Sequence, residues 1–270
     1  MVRTLFLALF LTLSLNAGEV IEAVKNILGN RYYRSQKIVN VLFRNENRFY
    51  KGSRLDIAKI VSKLKANGLL NLYFKTPKEM EISFAAEGNP LLFLKIINES
   101  LHNIGYSFFT TKEAKREGDY FHWKIVLKSE SAMDPELFAK ELERRGVFIR
   151  KIRQRSLTRW DYDLDIFNAE VLAKSLNSYN TINLKKPLDD YWLNIKVPAS
   201  FIEISAHPND TWHPNVVFYD SSLQILGYYS KKDRDKRVKL QIPPDAKYIK
   251  ISDYYSLSNI KRGLKIRLFQ

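Results

Sequence analysis

Between Ser205 and Asp220 the chain reads SAHPNDTWHPNVVFYD, with His-Pro-Asn occurring twice, six residues apart. Two histidines, a carboxylate and an indole on one short segment admit several chemistries. His207, Asp210 and His213 supply nitrogen and oxygen donors of the kind zinc accepts, with a fourth position left to water. The spacing is not that of two histidines on one helical face, and Pro208 and Pro214 each hold the preceding histidine extended. A carboxylate pair for hydrolysis is available from Asp210 with Asp220 or Glu203. Nothing in the surrounding residues separates the acid from the base. No serine lies in a glycine elbow, so a serine nucleophile has no support.

Sugar recognition fits the segment better. Trp212 offers a flat apolar face and one N–H donor, while Asn209, Asp210 and Asn215 offer groups that match hydroxyls. These four residues form the expected ligand-binding set. The pairs Tyr228-Tyr229 and Tyr254-Tyr255 join it if the fold brings them to the same end. The structural alternative is a fixed turn, with Trp212 plugging the end of a β-sandwich. Catalytic residues and cofactors are not assigned.

A second charged feature is Arg144–Arg159, RRGVFIRKIRQRSLTR, which carries no acid. Arg150, Lys151, Arg153 and Arg155 are expected to line a docking face for an anionic polymer or a membrane. Just beyond it, RWDYDLDIF alternates Trp160, Tyr162, Leu164 and Ile166 with Asp161, Asp163 and Asp165. That alternation predicts a half-buried strand with an acidic face, placed to neutralise a neighbouring basic strand.

Position in the cell follows from the first residues. MVRTLFLALFLTLSLNAG has one early cation, a twelve-residue apolar run from Thr4 to Leu15 and a small-residue exit. This is the layout of a signal peptide, expected over 1–17. The run falls short of the roughly 18 apolar residues that span a bilayer. No later segment reaches that length, so no transmembrane segment is expected in the mature chain. The chain contains no cysteine, and its formal net charge is +15. Without disulfides an exported chain must rely on its core, and 45% hydrophobic residues suffice for one. The basic balance outside the cytoplasm argues for an envelope glycan, a cell-wall polymer or an acidic protein, and against nucleic acid.

The elements that must position these residues fall into two parts. EVIEAVKNIL reads as a short helix and KIVNVLF (Lys37 to Phe43) as a strand. Three turns of one pattern follow: helix, glycine, strand, turn, strand. The closing glycines are Gly68, Gly105 and Gly146, each at the place where a left-handed residue ends a helix. The first unit is read as DIAKIVSKLKAN with strands LLNLYFK and MEISFAA. The second is PLLFLKIINESLHNI with YSFFTT, a charged loop KEAKREGD, and YFHWKIVL. The third is PELFAKELERR with VFIRKI and RWDYDLDI. Past 167 the composition turns polar. Seven strand candidates then follow at near-regular spacing: YWLNIKV, FIEISAH, NVVFYD, LQILGYY, RVKLQI, KYIKIS and GLKIRLF.

The αββ order over roughly residues 37 to 166 resembles the POTRA and ring-building modules of exported assembly proteins. That resemblance implies contact with a protein partner, often by edge-strand pairing, and no catalysis. The phrase VVFYDSSLQILGYY followed by LQIPPDAKYIKIS, over 216 to 252, is similar to C-terminal jelly-roll modules of phage receptor-binding proteins and carbohydrate-binding modules. It implies glycan binding or display of a surface. The sequence therefore predicts an α+β protein: a signal peptide over 1–17, repeated αββ units over 18–166, and an antiparallel, jelly-roll-like β-sandwich over 167–270. The expected function is that of a non-catalytic periplasmic binding and assembly protein, with a periplasmic protein partner and an envelope glycan as targets. A metal- or carboxylate-dependent glycan hydrolase and a purely structural scaffold are the alternatives.

Overall fold

The computed structural model describes residues 18–270; the expected signal peptide, 1–17, lies outside them. The chain divides into two units, one ending at Glu170 and the other running over Val171–Gln270.

The first unit begins with α1 (Glu19–Leu28) and α2 (Arg31–Leu42), a short hairpin of β1 (Tyr50–Lys51) and β2 (Arg54–Leu55), and α3 (Ile57–Ala66). There follow β3 (Tyr73–Glu87), α4 (Pro90–Asn103), β4 (Thr110–Glu117), β5 (Tyr120–Ser131), α5 (Pro135–Glu143), β6 (Phe148–Ser156) and β7 (Arg159–Asp165). The last five strands make one sheet in the order β4-β5-β3-β7-β6. β3 pairs antiparallel with β5 and parallel with β7.

Local chemistry explains the helix boundaries. Asp56, Asn89 and Asp134 cap α3, α4 and α5 by accepting from Lys59 N, Leu92 N and Glu136 N. Gly68, Gly105 and Gly146 follow the ends of those helices with φ of +68°, +98° and +69°. Each time the next residue's N–H reaches back: Leu69 to the Leu64 carbonyl, Tyr106 to Leu101 and Val147 to Leu142. The same hydrogen-bonded stop is used three times.

Alternation sorts the sheet faces. Met80, Ile82, Phe84 and Ala86 of β3 are buried with Trp123, Ile125 and Leu127 of β5 and Trp160, Tyr162 and Leu164 of β7. Phe84 sits at the centre, its ring 5.5 Å from Phe138 of α5 and 5.6 Å from Tyr162. The opposite face carries Glu81, Lys124, Asp161 and Asp163, bound in ion pairs.

Three expectations are corrected. Lys37 to Phe43 is helical through Leu42, because α2 packs through Tyr32 and Val39, seven residues apart on one helical face. LLNLYFK and MEISFAA are not two strands: 73–87 is continuous, and the ladder with β5 skips from Tyr73 to Lys78. Pro77 falls in that irregular stretch, where a missing N–H costs no ladder bond. The charged KEAKREGD is mostly strand β4, not a loop, while 106–109 is irregular. The three αββ units thus share one sheet, and the first contributes a single strand to it.

The second unit contains β8 (Lys174–Leu176), β9 (Ile182–Asn183), β10 (Tyr191–Ile195), β11 (Phe201–Ala206), β12 (Pro214–Tyr219), β13 (Ile225–Ser230), β14 (Arg237–Gln241), β15 (Tyr248–Asp253) and β16 (Leu264–Phe269). Two sheets form, ordered β13-β12-β15-β10-β8 and β14-β11-β16-β9. Every pairing is antiparallel except that of β10 with β8. Both sheets feed one core: Leu193, Val216, Phe218, Ile249 and Ile251 from the first, Ile202, Ile204, Val238, Ile266 and Leu268 from the second. Among the described residues no helix is long and apolar enough to cross a membrane.

Candidate functional site

The His-Pro-Asn loop crosses from β11 in one sheet to β12 in the other. Its first half is a turn, with Asp210 N donating to the His207 carbonyl and Asn209 N to His207 Nδ1. Asp210 is 6% exposed. Its Oδ1 accepts from Arg262 Nη1 at 2.6 Å and its Oδ2 from Arg262 N at 3.0 Å. Arg262 Nη1 also donates to the Asn209 carbonyl. The carboxylate that was expected to face a ligand is a clamp between two loops.

Trp212 is 1% exposed, and its Nε1 donates to the Ser252 carbonyl at 2.9 Å. Both faces of the indole lie in the core, so it is no platform for a ligand. Asn215 donates from Nδ2 to Ser252 Oγ, and Asn209 remains exposed.

A second carboxylate, Asp253 at the end of β15, completes the framework. It accepts from His213 N at 2.7 Å, from Tyr255 N and Ser256 N, and from Asn259 Nδ2. Burial pushes its pKa up, but these four hydrogen bonds outweigh that, and the net shift is downward. A third loop joins through Asp235 N to the Trp212 carbonyl and Lys231 N to the Pro214 carbonyl.

This framework presents an aromatic cluster. The His213 and Tyr255 rings meet edge to face at 4.9 Å, as do those of Tyr254 and Tyr255. Lys232 Nζ lies 5.8 Å from the centre of the Tyr254 ring. His213 Nδ1 is 2.8 Å from the Lys232 carbonyl. A carbonyl only accepts, so Nδ1 carries the proton. Tyr255 is 61% exposed. Flat rings, phenol hydroxyls and an ammonium side by side suit a polyhydroxylated ring. The Tyr254-Tyr255 pair does join the loop, whereas Tyr228 and Tyr229 lie within β13, opposite Val217 and Val216.

The metal reading fails on geometry. Among the described residues no group of three His, Asp or Glu side chains is placed to hold an ion. Both Asp210 oxygens are taken by Arg262, which separates it from His207 and His213 as a ligand set. The candidate hydrolytic carboxylates are also engaged: Asp220 Oδ1 accepts from Ser222 N and Gln224 N, and Glu203 pairs with Arg237.

The basic strand β6 has two irregularities, at Arg150 and at Arg155, where the ladder with β7 skips a residue. Arg150 pairs with Asp163 at 2.9 Å and donates to the Tyr120 hydroxyl. Arg155 pairs with Asp161 at 2.6 Å, and Lys151 with Glu22 at 3.6 Å. The acidic strand does neutralise its basic neighbour. Of the four cations expected to dock an anion, Arg153 alone has no ion pair among the described residues.

No family model matches the chain, and no curated protein does.

Proposed function

We propose that the chain is a non-catalytic, exported binding and assembly protein of the periplasm. On this reading the second unit is a jelly-roll-like sandwich whose loop end holds a sugar ring of an envelope glycan. The observation that carries it is the cluster of half-buried His213 with the exposed Tyr254 and Tyr255 beside Lys232, held by Asp253. Stacking on rings of this kind is insensitive to salt, whereas attraction through exposed cations is screened within about 10 Å at 0.1 M. The first unit would meet a protein partner through the free edge of β4, the terminal strand of its sheet. Such an edge accepts an added strand, although the charges of TTKEAKRE restrict which one.

The test is co-sedimentation of the chain with purified cell-wall sacculi, at about 0.1 M and about 1 M salt. Pelleting that survives high salt and is lost in Tyr255→Ala supports the reading. Pelleting abolished by salt, or unchanged in Tyr255→Ala, refutes it.

A further inference from the structure

Most cations of the first unit's sheet have a partner; around α2 and α3 several do not, although Arg31 bonds to Gln154 and Lys65 pairs with Asp134 and Glu136. Between Arg31 and Lys63 the acids are Glu46 and Asp56. Both are engaged, Glu46 by Gly18 N at 3.0 Å and Asp56 by Lys59 N at 2.8 Å. Arg31, Lys51 and Arg54 reach Gln154, Glu143 and Asp165. That leaves Arg34, Lys37, Arg44, Arg48, Lys59 and Lys63 exposed and without an ion pair among the described residues.

Their placement is not random. α2 buries Tyr32 and Val39, so its opposite side must hold Tyr33, Arg34, Lys37, Ile38 and Val41. All five are exposed. Val41 is 75% exposed and Ile38 53%, with cations near them and no acid in α2. Beside them, a groove of about 990 Å³ between the end of α2 and α3 is lined by Arg44, Arg48, Lys59 and Lys63. Exposed aliphatic residues among cations, with no acid between them, offer an anionic bilayer surface both charge attraction and shallow apolar contact.

We propose that this side of α2 is a membrane-surface contact. Arg34, Lys37 and Arg44 meet the phosphates of anionic phospholipid, and Tyr33, Ile38 and Val41 enter the headgroup boundary. The surface belongs wholly to the first unit and does not rest on the glycan reading of the second. An acidic protein would satisfy the cations, but a lipid surface also accounts for the exposed Tyr33, Ile38 and Val41 beside them.

The experiment uses residues 18–270, so that the apolar run of 1–17 does not contribute. Sedimentation is measured with vesicles of phosphatidylcholine alone and of equal parts phosphatidylcholine and phosphatidylglycerol. Binding is expected to the anionic vesicles only. Arg34→Gln with Lys37→Gln should weaken it about 25-fold, at about fivefold per cation. Ile38→Asn with Val41→Asn should weaken it roughly tenfold by removing apolar insertion. Lys115→Gln with Lys140→Gln removes the same net charge at sites already paired with glutamates, and should have less than about a twofold effect. All the substituted positions are exposed, and thermal unfolding checks that each variant is folded. Equal binding to both vesicles, no binding to either, α2 variants that bind like the parent, or a control pair that weakens binding equally would each overturn the proposal. So would capture of soluble polyglutamate through α2 by a chain that ignores vesicles, which would point to an acidic protein instead.

Discussion

Trp212 separates the two roles that its loop combines, and the separation is measurable. Trp212→Ala removes a side chain that is 1% exposed, in a unit of one hundred residues, 171–270. Large aromatic truncations in cores cost about 3–5 kcal/mol. The lost hydrogen bond from Nε1 to the Ser252 carbonyl adds about 1 kcal/mol. For a domain of one hundred residues each kcal/mol moves Tm by roughly 4–5 °C. A fall of about 15–30 °C in the transition of the second unit is therefore expected, read by calorimetry on the intact chain. Trp212→Phe keeps much of the volume and isolates the hydrogen bond together with a smaller void, so its loss should be less than half as large. Tyr255→Ala, at an exposed ring, should leave Tm within about 2 °C, as surface substitutions do. If Trp212→Ala unfolds within a few degrees of the parent, the indole is not the plug of this core, and the assignment of binding to the tyrosines alone loses its basis.

Other expectations follow from the same geometry. Tyr162 is buried with a hydroxyl that has no partner, and burial drives its pKa well up; Tyr162→Phe should leave stability unchanged or raise it by about 1 kcal/mol in urea unfolding. A Cβ at Gly146 would stand 2.2 Å from the Asn168 carbonyl oxygen, whereas one at Gly105 meets nothing within 4 Å. Both glycines have positive φ, so Gly105→Ala should cost about 1–2 kcal/mol, and Gly146→Ala clearly more in the same assay. Asp253 has a folded pKa below its unfolded value, so its contribution is complete above about pH 4 and fades as pH falls through the folded pKa. Asp253→Asn should flatten the acid limb of the stability curve, measured by denaturant unfolding between pH 2 and 5; an unchanged limb would refute the carboxylate's role.

Periodicity made much of this fold legible. All seven strand candidates after 190 are strands; β12 and β16 alternate cleanly, and the others are short β-branched and aromatic runs between turn residues. The three glycine stops were readable since each depends on one residue's own conformational freedom. KIVNVLF misled because its β-branched residues favour a strand locally, and only the packing of Tyr32 and Val39 decides for helix. KEAKREGD reads as a loop from its charge alone, yet it lies mostly in the edge strand β4, and edge strands carry charge for protection. The loop's polar residues were recognised but their roles were not. Asp210 is bound by Arg262, 52 positions away, and His213 by Asp253, 40 positions away, and no local pattern reports such partners. The bulges that aim Arg150 and Arg155 at Asp163 and Asp161 were equally invisible, although the opposition of a basic and an acidic strand was not.

The central position of β3 also sets an order of events. Its partner β7 joins it where Glu81 meets Arg159, so that side of the strand cannot be covered until nearly the whole first unit has emerged. The hairpins β4-β5 and β6-β7 can each close locally and early, but the sheet is completed by a long-range, parallel step of the kind that folds slowly. Until then the backbone of β3 from Glu81 to Ala86 stays unpaired on that side. A chain interrupted before residue 159 would present that edge to its neighbours, which makes the C-terminal hairpin of the first unit the piece that covers it.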